Sequence, residues 1–254
     1  MKNILLLLIG SMLCATVATA QIVNYSTSFT SADGFSNGTI NGQNTWSAVN
    51  SAHYVISDST GAGLVGSTNA AGPVHNASST DLTSALASGA TITMTLSANF
   101  TGTFINQNNG RWLLGIGTSD VSSQPLLGGG VFFNVGGSNF FVADETLSNG
   151  SKVDTGITFD SAFHTLTTTI TRTATTNEFD VTVALDGSAN TSSFTVSDAG
   201  LWSGSSTAYA GFRWQGNQTG AVDSFSVNSV PEPSTFLLLG LATAFLTVAR
   251  RRKK

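Results

Sequence analysis

Ten consecutive residues, Thr91 to Phe100, alternate without a fault: Ile92, Met94, Leu96, Ala98 and Phe100 are apolar, while Thr91, Thr93, Thr95, Ser97 and Asn99 are polar. A period of two puts the sets on opposite faces of an extended chain, and a helix with 3.6 residues per turn would mix them. The segment is a strand with one face buried. Phe179, Val181, Val183 and Leu185 repeat the pattern against Glu178, Asp180, Thr182 and Ala184, and Asp186-Gly187 then marks a turn. Further strands are predicted over Tyr25–Phe29, His53–Ser57, Arg111–Gly117, Gly130–Val135, Asn139–Val142, Phe163–Thr171, Ser192–Val196, Ala208–Trp214 and Ala221–Val227. Ser79 to Ala87 has room for one short helical turn. About a dozen short strands separated by Gly, Ser and Asn clusters predict an all-β chain, folded as a two-sheet antiparallel sandwich with inner faces about 10 Å apart.

The two ends differ from this middle. Lys2, the apolar run Ile4–Ile9 and the small-residue site Ala18-Thr19-Ala20 have the three regions of a secretory signal peptide, with cleavage expected before Gln21. Cys14, the single cysteine, falls in the removed part, so no disulfide is expected in the mature chain. Ser11-Met12-Leu13 ahead of Cys14 lacks the small residue that precedes a lipid-bearing cysteine. At the other end, Pro231-Glu232-Pro233 precedes an uncharged stretch, Phe236–Ala249, and the basic cluster Arg250, Arg251, Arg252, Lys253 and Lys254. The apolar stretch makes roughly 21 Å of helix, or about 24 Å if Ser234 and Thr235 join it, against a hydrocarbon core of about 30 Å. Snorkelling arginines and local thinning cover the difference. The expected layout is a signal peptide at 1–20, an extracytoplasmic domain at 21–230 and a tail at 231–254, with a transmembrane helix over about 234–249 and its basic end in the cytoplasm.

That tail resembles the PEP-CTERM sorting signal of Gram-negative bacteria that make exopolysaccharide. Pro231, Glu232 and Pro233 match the recognition triplet, and the span and basic cluster follow in the family's order. The resemblance implies export through the inner membrane and transient anchoring there. It also implies processing near the triplet by an exosortase, and delivery to the envelope surface or the extracellular matrix. Pro231 and Pro233 keep the triplet out of the helix, because proline is excluded from helix interiors and biases its predecessor toward extended backbone.

Charge narrows the partners. Between 21 and 230 only Arg111, Lys152, Arg172 and Arg213 are basic, against thirteen acidic residues, so this part carries a net charge of minus nine. The whole-chain value of minus four hides this, because the tail supplies the cations. Nucleic acids and anionic lipids both require Lys and Arg to displace counterions, and neither is expected as a partner of the domain.

A second resemblance runs along the domain. Tyr25–Phe29, Asn41–Trp46 (NGQNTW), the long hairpin Phe163–Gly187 and Val222–Val227 (VDSFSV) look like the concanavalin-like or laminin-G-like jelly rolls found ahead of PEP-CTERM tails. That family places its first and last strands side by side. Its laminarinase-type members carry Glu-x-Asp-x-x-Glu on one strand, two carboxylates flanking a glycosidic bond. Glu178-Phe179-Asp180 begins such a pattern, yet Val183 stands where the second Glu belongs, and the alternation reads Glu178, Asp180 and Thr182 as a solvated face. Asp144-Glu145, adjacent in an extended segment, point to opposite faces and cannot converge on one bond.

Other chemistries lack parts. Gly61-Ala62-Gly63-Leu64-Val65-Gly66 matches a dinucleotide glycine pattern by letter, but Gly72-Pro73 stands where its helix is required, which leaves a turn or strand edge. His53, His75 and His164 have no second histidine three or four residues away and no cysteine to complete a zinc site, and no Gly-x-Ser-x-Gly elbow occurs. The Asn-x-Ser/Thr tripeptides at Asn24, Asn37, Asn76, Asn99, Asn149, Asn190 and Asn217 arise by chance in a chain this rich in those residues. Sugar platforms are Trp46, Trp112, Trp202 and Trp214; Trp214 lies at strand spacing from Phe212 and reads as core, whereas Trp202, in the Gly200–Gly204 loop, is the candidate glycan contact. A calcium ion on Asp144 and Asn149 is the one cofactor considered, without the spacing of an established loop. The expectation is an exported, non-enzymatic surface or matrix protein associated with exopolysaccharide. A lectin-like carbohydrate-binding module and a divergent glycoside hydrolase are the alternatives.

Overall fold

The computed structural model describes residues 22–48, 55–57, 63, 65–67, 71–76, 82–87, 90–101, 111–118, 127–133, 138–144, 152–175, 177–197, 208–215 and 219–230. Two antiparallel sheets account for most of them. The larger has nine strands in the order β14 (Ser192–Ser197), β13 (Glu178–Leu185), β12 (Phe163–Arg172), β7 (Thr91–Thr101), β16 (Thr219–Val230), β5 (Val65–Ser67), β4 (Val55–Ile56) and β2 (Gly38–Thr39), with β1 (Asn24–Thr27) also paired to β16. The smaller has seven: β11 (Val153–Thr158), β10 (Asn139–Asp144), β9 (Leu127–Phe133), β8 (Arg111–Thr118), β15 (Ala208–Gln215), β6 (Ala71–Asn76) and β3 (Trp46–Ala48). Strands distant in sequence alternate between the sheets, and the result is a jelly-roll sandwich, the expected class.

The alternation read from the sequence sorts side chains as required. Ile92, Met94, Leu96 and Ala98 of β7 are fully buried between the sheets, together with Phe179, Val181, Val183 and Leu185 of β13. Trp112, Leu114, Ile116, Val131, Phe140, Val142 and Phe212 meet them from the smaller sheet. Each large apolar side chain buried in this way contributes about 1.5–3 kcal/mol, so the two alternating strands and their partners make up much of the folding force. The first and last strands lie side by side: Tyr25 pairs with Val227 and Thr27 with Phe225.

Five strands escaped the pattern: β2, β3, β5, β6 and β11. The first four have two to six residues and are rich in Gly, Ser or Thr, too short and too polar for a period to register. Their partners in the sheet define them. In β6, Pro73 pairs with Arg213 and lies beyond the last described β3 partner, Val74, so its missing N–H interrupts no described bond there. Of the glycine pattern before it, Val65 and Gly66 are strand and not a phosphate loop: Val65–Ser67 pairs with β16 and β4. Gly63 is required by packing, since a Cβ there would overlap the Phe29 carbonyl.

The short turn expected within Ser79–Ala87 is the helix α1 (Thr83–Ala87). It covers one end of the sandwich. The Leu82 N–H donates to the Ala208 carbonyl at 2.7 Å, the Ala208 N–H donates to Thr83 Oγ1 at 3.0 Å, and Leu82, Ala85 and Leu86 are buried. The signal-peptide residues Ala18, Ala20 and Gln21 and the whole tail from Pro231 to Lys254 lie outside the described residues, and among those described no helix is long and apolar enough to cross a membrane.

Candidate functional site

The outward face of the nine-stranded sheet is built from hydroxyls. Because the register is known, its side chains fall into rows across the strands. One row runs Ser193, Thr182, Thr169, Thr93, Asn228, Asn24. The next runs Ala184, Thr167, Thr95, Ser226, Ser26, and a third on the other side runs Thr195, Asp180, Thr171, Thr91. Strand spacing sets about 4.8 Å between neighbours in a row, and two residues of rise set about 6.8 Å between rows. All of these side chains are half-buried or exposed. Several bond laterally: Thr95 Oγ1 to Ser226 Oγ at 2.6 Å, Thr91 Oγ1 to Thr171 Oγ1 at 3.1 Å, and Thr182 Oγ1 to Ser193 Oγ at 3.2 Å. These contacts hold the hydroxyls in register, and their remaining lone pairs face outward. No row contains Lys or Arg.

Glu178 and Asp180 stand at the β13 corner of the same face. Thr173 Oγ1 donates to Glu178 Oε1 at 2.9 Å, and Thr195 Oγ1 donates to Asp180 Oδ1 at 2.8 Å. Val183, at the position of the missing carboxylate, is fully buried and points into the core. The glycosidase pattern therefore supplies two hydroxyl-bonded surface carboxylates on an open face.

The end of the sandwich at the start of β12 holds a polar node. His164 is 6% exposed and sits between two carboxylates. Its Nδ1 is 2.6 Å from Asp186 Oδ2, and its Nε2 is 2.9 Å from Asp160 Oδ1. Carboxylates only accept, so both contacts are satisfied when both ring nitrogens carry a proton. The ring also meets Phe140 edge to face at 4.8 Å. Asp186 takes the left-handed φ of 49° that Asp tolerates and accepts from the Thr165 N–H. A hydrogen bond from the Ala162 N–H, then one from His164, holds the Asp160 carboxyl below its ordinary 3.8. This node ties two loops to β12. Among the described residues no group of three His, Cys, Asp or Glu side chains is arranged to hold a metal.

The proposed sugar platforms divide differently. Trp46 is 1% exposed and Trp112 fully buried, so both belong to the core. Trp46 sits among Phe29, Phe212 and Phe225 with ring centroids 5.2–5.5 Å away, and its indole N–H donates to the Tyr25 hydroxyl at 3.0 Å. The NGQNTW segment exists to place it. Asn44 and Thr45 adopt left-handed φ of 42° and 70°, and Gln43 Nε2 donates to the Thr39 and Ser36 carbonyls. Trp202, the Trp214 side chain, Glu145 and Asn149 lie outside the described residues, so the calcium reading rests on Asp144 alone.

Last, β16 runs to Val230. Val230 pairs with Thr91, and the next residue is Pro231 of the triplet. A family model described as the PEP-CTERM protein-sorting motif matches residues 229–253. The chain carries a PEP-CTERM sorting motif. It begins inside the sheet, at Ser229, and such a signal marks a chain for export and sorting at the membrane. No curated protein matches the sequence. Among solved structures, peanut lectin with a nine-residue peptide is similar at 15% identity and a TM-score of 0.44, over 83% of this chain and 98% of that one. Basic winged bean lectin with Tn-antigen is similar at 10% identity and 0.48, over 83% and 99%. A carbohydrate esterase from the Shiga toxin-encoding bacteriophage phi24B is similar at 12% identity and 0.41, over 81% and 89%. The fold stands on the strand order of the two sheets.

Proposed function

We propose that this is an exported, non-enzymatic protein of a Gram-negative envelope surface or extracellular matrix, sorted by an exosortase through Pro231, Glu232 and Pro233, and that its hydroxyl-rowed sheet face lies against a neutral exopolysaccharide. In this reading residues 1–20 are removed on export, 21–230 lie outside, and the span and Arg250–Lys254 hold the tail in the inner membrane until it is processed. The sorting motif supports the address. The observation that carries the ligand class is the row of Ser193, Thr182, Thr169, Thr93, Asn228 and Asn24, six neutral hydrogen-bonding side chains in register across six strands.

Charge and magnitude set the ligand. With Asp180 and Glu178 at one corner and no cation in the rows, the face repels an anionic glycan. Each hydroxyl contact is worth about 0.5–1.5 kcal/mol net, too little for a monosaccharide to overcome the cost of association. A polymer engages several rows at once, and each later contact forms at high effective concentration. A lectin pocket, with Trp202 as its platform, is the second reading; it requires measurable binding of a single sugar.

The test has two arms. Cells are fractionated and the C-terminus of the released form is sequenced; an intact Arg250–Lys254 end on released protein removes the sorting claim. The released form is then co-sedimented with an insoluble neutral glucan and with alginate. Retention on the glucan alone, abolished by Thr93→Glu with Thr169→Glu, is the expected result. Equal retention by the double variant ends the claim for this face, and retention competed by a monosaccharide favours the pocket.

A further inference from the structure

The sorting motif overlaps the folded sheet, and the overlap has a lock on it. Ser229, the first residue of the motif, is 3% exposed. Its N–H donates to the Val23 carbonyl at 2.9 Å, and its hydroxyl accepts from the Val23 N–H at 2.7 Å. Val23 directly precedes β1, whose register on β16 runs from Asn24 opposite Asn228 to Thr27 opposite Phe225. Continued outward by two residues, that register sets Ile22 opposite Val230. On the other side Val230, Ser229 and Asn228 pair with Thr91, Ile92 and Thr93 of β7. The residues just before Pro231 are thus held on both sides, on one by a long strand and on the other by a short segment beginning at the residues after the expected signal-peptide cut.

A processing enzyme holds its substrate as an extended strand, and the substrate backbone must offer free N–H and C=O groups to it. The Ser229 N–H is already taken by the Val23 carbonyl, and Asn228 and Val230 are paired to β7. β7 is eleven residues long and central, and it opens only with the whole sandwich. β1 has four residues and opens far more readily. Resting on the sorting function proposed above, we infer that the segment Ile22–Thr27 is a latch on the exosortase site. Seated on β16 it withholds the Ser229 backbone from the enzyme, and its release exposes one edge of the strand that enters the triplet. Sorting follows leader removal at a rate set by latch opening.

Pulse-chase of the full-length chain in cells that contain the sorting enzyme, with the C-terminus followed by mass, tests this. Ile22 and Val230 are 70% and 64% exposed, and a non-hydrogen-bonded pair beside the bonded Val23–Ser229 pair brings side chains close. The variant Ile22→Cys with Val230→Cys then has the only two thiols of the exported chain. Oxidised, it is expected to be processed at least about tenfold more slowly than wild type, with recovery on reduction. Ser229→Ala, which removes the Val23 N–H acceptor, is expected to speed processing about two- to tenfold, because cleavage of a transiently open segment tracks its open population. A Gly-Ser-Gly-Ser insert between Val230 and Pro231 should make the rate insensitive to the disulfide. Processing of the oxidised variant at the wild-type rate overturns the latch while leaving the sorting function intact. A wild-type chain that is never processed overturns the sorting function, and the latch with it.

Discussion

Asp33 shows how one carboxylate can organise a loop whose sequence looks featureless. Its Oδ2 accepts from the Ser28 N–H at 2.7 Å, from Thr27 Oγ1 at 3.2 Å, and from the Thr30 N–H and hydroxyl at 3.5 and 3.3 Å. Partial burial works to raise its pKa, but the hydrogen bonds from Ser28, Thr30 and Thr27 together outweigh it and hold the carboxyl below its ordinary 3.8. A carboxyl depressed on folding stabilises the native state above its unfolded pKa, and that contribution disappears as pH falls through the lower folded value. Asp160 acts in the same sense. Asp33→Asn should therefore cost about 1 kcal/mol at pH 7 after allowance for solvent screening, with the gap to wild type closing below about pH 4. Thermal melts between pH 7 and 3 measure it, and a gap that stays constant with pH would contradict the assignment. Only the capping-box spacing of Thr30 and Asp33 is legible along the chain; the bonds from Thr27 and Ser28 are what the fold adds. For His164, Asp160 lies four residues back in the sequence, but Asp186 is 22 residues away and only the hairpin returns it.

Strand β9 carries the tightest constraint among the elements. Gly128, Gly129 and Gly130 follow one another in it, and Gly129 faces Val183 across the sandwich. A Cβ at Gly129 would overlap Val183 Cγ2 and the Ala143 carbonyl oxygen. Gly129→Ala should then destabilise the domain by about 1–3 kcal/mol, the cost of overpacking a filled core, read as a lower denaturant midpoint with an unchanged slope. Combined with Val183→Ala, it should cost less than the sum of the two single changes; simple additivity would show that the two do not meet. The same strand explains why its start was misplaced by sequence, at Gly130 in place of Leu127, while the expected end at Val135 lies outside the described residues. Glycine has no side chain to report which face it occupies. Strand β8 hides its period for the opposite reason: Trp112, Leu113 and Leu114 are all buried, because Leu113 joins Phe132 and Ala143 in a second apolar cluster on the outer side of the smaller sheet. With both faces covered, a strand reads as a continuous apolar run.

At the scale of the whole molecule, β1 and β16 bring the two ends of the described chain into one sheet, and Trp46, Phe29, Phe212 and Phe225 bridge both sheets in one aromatic cluster. Among the described residues one main core draws on both sheets, with only the small Leu113–Phe132–Ala143 cluster apart from it. Calorimetric unfolding should give one transition with equal calorimetric and van't Hoff enthalpies; two resolved transitions would rule out the single core. By itself the sequence determined the strand period, the acidic balance of the domain and the order of the sorting motif, because each is carried by neighbouring residues or by a plain count. Only the tertiary structure decided that Trp46 and Trp112 are core, that threonines from separate strands align into rows, and that Ser229 is locked to Val23. Those depend on register between strands up to two hundred residues apart, and register is settled by which faces can be buried together.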